Sequence, residues 1–440
     1  MNLSEFNKFR DKFKLSPARP RKGTPEDRGK VLQMPSAPAP IPSSNHGSIT
    51  RVIPGIIAGA ADLDPAAVLT ATVAGAGFGL SLGWVVLLCI PILQAVFGVA
   101  ARIGYETRLG LIKLIRDHFN KKIAITIACL IVAVNVLMII ADIMAVSDAA
   151  SILLIQPRRF FPAAVAFTVW YILTKAGYNR VNNTLSLLAL FLFAYIAAAY
   201  LASDSILGVA RGVFMPRLRP GTEYVLAVIA VFGSLLTPDV VVWQTSSKRE
   251  TAAAFHGIES RIGCIVACVV SLSVIIAASS MKGVNPDTMT TRIAAQALAP
   301  LGDLGPILFA LGIFGSGLVA LPILVASLCF SVSEAADWDY GLSKPPWEAP
   351  RFFILICAVL VIAVAVNYSG INTVKTLYWS QVMAGMFIMP ILFFILWIAN
   401  DRRIMRTANS KWENFWLGGA VGGMLVANLI FLWTELMKRI

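Results

Sequence analysis

The chain reads as an all-α polytopic membrane protein, on three observations. Hydrophobic residues make up 57% of its 440 positions and charged residues only 14%. The apolar residues run in uninterrupted stretches near the ~20 residues a helix needs to cross a bilayer. Carboxylates and prolines interrupt two of those stretches near their middles.

In order along the chain, spans are expected at about 52–76, 84–101, 123–147, 160–174, 182–202, 222–246, 262–281, 304–333, 352–366, 376–399 and 415–436. Eleven is odd, so the termini fall on opposite sides. Of the 37 Lys and Arg residues, 27 lie in the N-terminal segment and the alternate loops on its side. Basic residues near span ends mark the cytoplasmic face, which predicts a multi-pass cell (inner) membrane protein with its N-terminus cytoplasmic and its C-terminus extracytoplasmic. The formal charge of +13 is therefore mainly a topology signal, with attraction to anionic headgroups second. No basic patch interleaved with aromatics lies outside the loops, so nucleic acid is not an expected partner.

Two domains follow: a tail over 1–50 and an eleven-helix transporter domain over 51–440. The tail is rich in charge and then in Pro, Ala and Ser. It cannot bury enough apolar surface to offset ordering, so a flexible cytoplasmic segment is expected. A short surface helix around Phe6, Phe9 and Phe13 is the alternative. The tail has no apolar signal core, so no cleavage is expected.

The most informative segment is Ala60-Ala61-Asp62-Leu63-Asp64-Pro65-Ala66-Ala67. An Asp at mid-bilayer costs roughly 2.5 to 3.5 kcal/mol on insertion scales and survives facing a wet cavity or a cation. A proline at that depth frees backbone carbonyls. The sixth span repeats the design between Gly233 and Asp239, ending in Pro238-Asp239. Two interrupted helices five spans apart mark a 5+5 inverted repeat around a central site, with span 11 accessory. The competing reading makes each break a proline kink against a neighbouring helix.

These residues resemble the first helix of the NRAMP divalent-metal transporters, and especially their NRAMP-related magnesium-transporter branch. Asp64-Pro65 followed by Ala74-Gly75-Ala76-Gly77-Phe78-Gly79 carries the likeness most specifically. Ala100-Ala101-Arg102-Ile103-Gly104, Asn135 with Ala141-Asp142, the run from Leu192 to Ala199, and Thr237-Pro238 with Trp243-Gln244 extend it over about residues 50–400. The resemblance implies a LeuT-type fold with broken helices 1 and 6, and alternating-access uptake of a divalent cation. In the family the first-helix motif is Asp-Pro-Gly-Asn and the sixth-helix motif Met-Pro-His. By position the Asp is Asp64, while Ala67, Thr237 and Asp239 stand where the Asn, Met and His would be.

Donor chemistry makes its own forecast. With no Met or His at the site and no Cys expected nearby, the inventory is oxygen: Asp64, Asp239, the Thr237 hydroxyl, and carbonyls near Ala61 and Leu236. Such donors suit magnesium, calcium and manganese. Small Ala66 and Ala67 would leave room for the hydrated ion that magnesium prefers. Asp239 is either a second ligand or a group facing a polar neighbour. Asp62 lies about 200° from Asp64 on a regular helix, so it joins the same ion only where the helix is unwound. Asp142 and Asn135 are pathway candidates, Asp142 alternatively bonding a neighbouring helix, and Gln381 is a weaker candidate that could equally be a helix-packing hydrogen bond.

All six cysteines fall inside expected spans. Cys264 and Cys268, one turn apart, could be a soft-metal pair or small residues at a helix contact.

There is no phosphate loop and no histidine-based zinc motif, so neither an enzyme nor a resident cofactor is expected. The expected partners are a divalent cation and the lipid bilayer, with the chain acting as a monomer. The function forecast is secondary uptake of a hard divalent cation, magnesium first and manganese next, without proton coupling. Two charges crossing 100 mV gain ~4.6 kcal/mol, enough for ~10³-fold accumulation. The alternatives are a proton-coupled transition-metal (manganese or iron) transporter, a carrier of a small organic cation on the same fold, and a sensor that does not transport.

Overall fold

The computed structural model describes residues 63–437, apart from 177–187, 189, 204, 216–220, 251–256, 282–288 and 343–345. Its described elements are helical. The chain order is α1 (Pro65–Phe78), α2 (Gly83–Thr107), α3 (Leu111–His118), α4 (Lys121–Leu154), α5 (Pro162–Tyr171), α6 (Ala194–Ala202), α7 (Ile206–Phe214), α8 (Thr222–Leu235), α9 (Pro238–Glu250), α10 (Gly257–Ala278), α11 (Gly305–Ala336), α12 (Pro350–Asn367), α13 (Thr373–Asn400) and α14 (Lys411–Met437).

Among the described residues, eight helical stretches are long and apolar enough to cross a membrane, with α1 and α2 together forming one of them. Gly79 separates those two at φ 62°, a left-handed conformation that glycine adopts without strain. The expected fourth span is helical over α5 and the wide turn Ile172–Ala176 that continues it. Part of the fifth lies outside the described residues. Two of the α-helices named above sit where loops were expected, besides the helical turns over Thr291–Ala294 and Ala295–Leu304. One is α7. The other is α3, whose Leu111, Ile112, Leu114 and Ile115 are buried while Asp117 and His118 are exposed.

The bundle is built around α1, which packs against α10, α13, α8, α4 and α11. Eleven of its residues, from Pro65 to Gly75, are buried. Small side chains permit the close approach, as expected where no water drives helices together. A Cβ on Gly75 would stand 2.5 Å from the Ile275 carbonyl oxygen of α10. On Gly317 of α11 it would collide with Val146 of α4 and stand 2.9 Å from Pro65. Outermost is α14, which rests on α13, α8 and α2 and leaves Phe415, Leu429, Leu432 and Trp433 exposed, an apolar surface suited to lipid.

Polar clamps help to close the bundle. Glu334, buried in α11, accepts the Ile112 and Lys113 amides of α3 at 3.1 and 3.3 Å on Oε2. Its Oε1 accepts the Ser246 hydroxyl of α9 at 3.1 Å and the Tyr340 hydroxyl at 3.2 Å. A side chain distant in sequence thus satisfies amides at the start of α3. Elsewhere Arg158 pairs with Asp148 at 3.3 Å and donates to Thr373 of α13 and Asn367 of α12.

Gly317→Leu should overpack this junction and cost about 1–3 kcal/mol, seen as a lower thermal midpoint in detergent. Gly419→Leu, on the open side of α14 with nothing within 4 Å, should leave the midpoint unchanged. Glu334→Gln turns an amide against the donors gathered at Oε1 or Oε2 and should cost about 1–3 kcal/mol. Hydrogen exchange should localise that loss to faster exchange over residues 111–118.

Candidate metal centre

Asp64 and Pro65 begin α1 as cap and first residue. Asp64 has extended backbone, φ −69° and ψ 165°, and its Oδ1 accepts the Ala67 amide at 2.6 Å. Pro65 occupies the first helical position, where its missing N–H costs no intrahelical bond. At the first expected break, α1 starts from Asp64 as its cap. The second break has the same grammar. Residue Leu236 leaves α8 with φ −124° and ψ 81°, and α9 restarts at Pro238 with Asp239 in its first turn.

The two breaks share one cavity. Asp64, Thr237 and Asp239 line it, together with Leu63, Ser234, Leu235 and Val240 from the same segments, Leu93 and Phe97 of α2, Cys264 and Ala267 of α10, and Ala320, Ile323 and Leu324 of α11. Its volume is ≈ 40 Å³; at roughly 10–15 Å³ per water centre, about three water-sized particles fit. Among the described residues no Lys or Arg lines it. Helix ends set its field. The starts of α1 and α9 present partial positive charge, and each is met by an Asp. The end of α8 presents carbonyls left over by the helix, on the side where Ser234 and Leu235 form the wall.

Asp239 is 3% exposed, and its Oδ1 has no hydrogen-bond partner among the described residues. The Thr237 side chain lies beside its carboxyl group. From behind, Asn135 of α4 donates to Ser327 of α11 at 3.5 Å, and Ser327 donates to the Asp239 carbonyl at 3.0 Å. Asn135 thus braces the second break without reaching the cavity. Asp142, wholly buried in α4, lies near Asp64, Asp239 and the Ala66 amide, yet neither carboxylate oxygen has a hydrogen-bond partner among the described residues.

The remaining expected residues divide. Asp62 and Ala61 lie outside the described residues. Ala66 and Ala67 are buried in the first turn of α1 and do not line the cavity, so the room expected from them is absent on this wall. Leu236 is buried, its amide bonded to Phe232, and its side chain is not part of the lining. Gln381 is buried in α13, away from the cavity. Neither its Oε1 nor its Nε2 has a partner among the described residues, so the helix-packing hydrogen bond considered for it does not form there.

Two lining residues depart from sequence reasoning. Ser234 lines the cavity from α8, its hydroxyl donating to the Val231 carbonyl at 2.9 Å. Cys264 contradicts the expectation that no cysteine is nearby. The supposed Cys264–Cys268 pair is divided: Cys264 lines the cavity, whereas Cys268 sits near Cys89 of α2. Among the described residues no three His, Cys, Asp or Glu side chains converge as a ready metal cage. A cation here would draw its remaining ligands from Thr237, backbone carbonyls and water.

Comparison with known proteins agrees with this architecture. The model of the Nramp family, described as natural resistance-associated macrophage protein-like, matches residues 55–434. The divalent metal cation transporter MntH of Bacillus subtilis is 24% identical over 410 residues, covering 88% of this chain and 92% of that protein. Its namesake in Aeromonas hydrophila is 25% identical over 415 residues, covering 87% and 94%. A mutant of the manganese transporter of Eremococcus coleocola superposes with a TM-score of 0.67 at 15% identity, covering 90% of this chain and 88% of that one. The fold is the expected all-α arrangement, shared with the Eremococcus coleocola transporter, and with the family model spanning nearly the whole sequence, the chain belongs to the Nramp family.

Proposed function

We propose that this protein is a secondary transporter of a hard divalent cation, which it binds between Asp64 and Asp239 and carries across the membrane by alternating access. The observation that carries the reading is a pair of buried carboxylates from the starts of two helices on one small cavity that, among the described residues, no Lys or Arg lines. Buried carboxylates left unpaired cost several kcal/mol each, so the cavity calls for a positive charge from outside the chain. Relatives named as divalent metal cation transporters support the same class of substrate.

Carboxylates, a hydroxyl, carbonyls and water suit magnesium, calcium and manganese. Magnesium gives up its waters reluctantly, and this cavity holds about three water-sized particles. We therefore place manganese ahead of magnesium, reversing the order expected from the donors alone; the printed name of the Eremococcus coleocola transporter points the same way. Among the described residues no histidine lines the cavity. The membrane potential would drive uptake without a coupled proton, and Asp142 would tune the charge around the site from behind.

The test is flux into proteoliposomes containing the full chain. Wild type should take up manganese, and magnesium more slowly, with no matching acidification reported by an internal pH dye. Asn caps helices as well as Asp, so Asp64→Asn should melt near wild type yet lose flux. Asp64→Ala should lose flux and also about 1 kcal/mol of stability. Asp239→Asn should lose flux too. Normal manganese and magnesium flux in Asp64→Asn would contradict the proposal.

A further inference from the structure

We infer that a second cavity, where α2 ends and α10 and α14 begin, is a binding site for the phosphodiester headgroup of an anionic phospholipid. It shares no lining residue with the cavity of Asp64 and Asp239, and the inference does not rest on the cation reading.

Both α10 and α14 pack on α2. The space left between them is lined by Arg102 and Tyr105 near the end of α2, Arg261 of α10, and Trp412 and Glu413 in the first turn of α14. Its volume is ≈ 290 Å³, close to the lower end of ligand pockets at about 300 Å³. That is room for a headgroup and too little for acyl chains as well.

The two guanidinium groups differ in what they have left to bind. Arg102 is held in place: its Nη1 donates to Glu413 Oε1 at 3.0 Å, and its Nη2 donates to Asn409 Oδ1. Glu413 also accepts the Ser410 amide at 2.7 Å, so its carboxylate is engaged within the wall. Arg261 is exposed and has no carboxylate partner among the described residues. Two guanidinium groups against one carboxylate leave the lining with one surplus positive charge. A phosphodiester carries one negative charge, whereas a phosphomonoester carries about −1.5 to −2 at neutral pH. The planar fork of arginine matches phosphate oxygens.

Depth favours a lipid over a soluble phosphate. Arg261 is the second residue of the apolar stretch Ser260–Ala278 and Trp412 the second of Lys411–Leu436, so both stand at span ends, where headgroups and interfacial aromatics belong. Basic pockets between spans suit such headgroups. From Arg261, Ile265 and Val269 follow at four-residue steps along one face of α10 and are 43% and 42% exposed. They form an apolar strip for an acyl chain leading away from the headgroup.

The experiment uses the purified full-length protein in detergent, titrated with phosphatidylglycerol or phosphatidylcholine, with bound lipid counted by native mass spectrometry. Wild type should bind its first phosphatidylglycerol about tenfold more tightly than phosphatidylcholine, and excess inorganic phosphate should not displace it. Arg261→Gln, at an exposed position, should melt as wild type does and bind phosphatidylglycerol about tenfold more weakly, the size of one charge-assisted contact. Arg402→Gln, exposed and outside the cavity, should bind it as wild type does. Displacement by inorganic phosphate would assign the cavity to a soluble anion and overturn the lipid reading. Equal binding of the two lipids, or an affinity unchanged in Arg261→Gln or lowered as much in Arg402→Gln, would overturn it as well.

Discussion

The structure depends on buried carboxylates held at the starts of two half-helices. Asp64 gives one oxygen to the Ala67 amide at the head of α1, and Asp239 stands in the first turn of α9. Each is steadied by the positive end of its helix, and each lines a cavity that, among the described residues, no Lys or Arg lines. A helix start offsets only part of a buried charge, so what remains is an appetite for a cation. The same geometry explains why the helices break where they do. A proline is comfortable as the first residue of a helix and disruptive inside one, so Asp64-Pro65 begins α1, and Thr237-Pro238-Asp239 ends one segment and begins another at the depth of the site.

The rest of the bundle positions those two starts. The absent side chain at Gly317 brings α11 against Pro65 and Val146. The chain from Asn135 through Ser327 to the Asp239 carbonyl ties the second break to α4 and α11. Glu334 links α11 to both α9 and α3. Motion of α9 relative to α11 would therefore strain two polar connections at once, one at the site and one at the Glu334 clamp. A clamp made of few hydrogen bonds, each worth about 0.5–1.5 kcal/mol net, is the kind of contact that alternating access can break and remake.

Much of this was legible in the sequence because charge and proline are conspicuous in apolar runs. Asp64, Asp239 and Thr237 stood out for that reason, and all three line one cavity. The misses share a physical cause. Cys264 lies in a helix that is apolar on most sides, where periodicity does not say which face meets a cavity. Ala66 and Ala67 suggested open space, but a small residue in a first turn can equally serve close helix packing, and there it does. Glu334 lay just past the end of an expected span and read as a loop residue; only the fold brings α3 to it across more than 200 positions. The amphipathic α3 was visible as Leu111, Ile112, Leu114 and Ile115 among charges, yet its basic residues drew it into a loop in the topology count.

The central claim is that one divalent ion sits between the two breaks. Crystals of the protein soaked in manganese, with anomalous diffraction collected at a wavelength where manganese scatters strongly, test it most directly. The account predicts a single strong anomalous peak in the cavity, bonded to carboxylate oxygens of both Asp64 and Asp239. A peak elsewhere, with both carboxylates engaged only by protein groups, would contradict it.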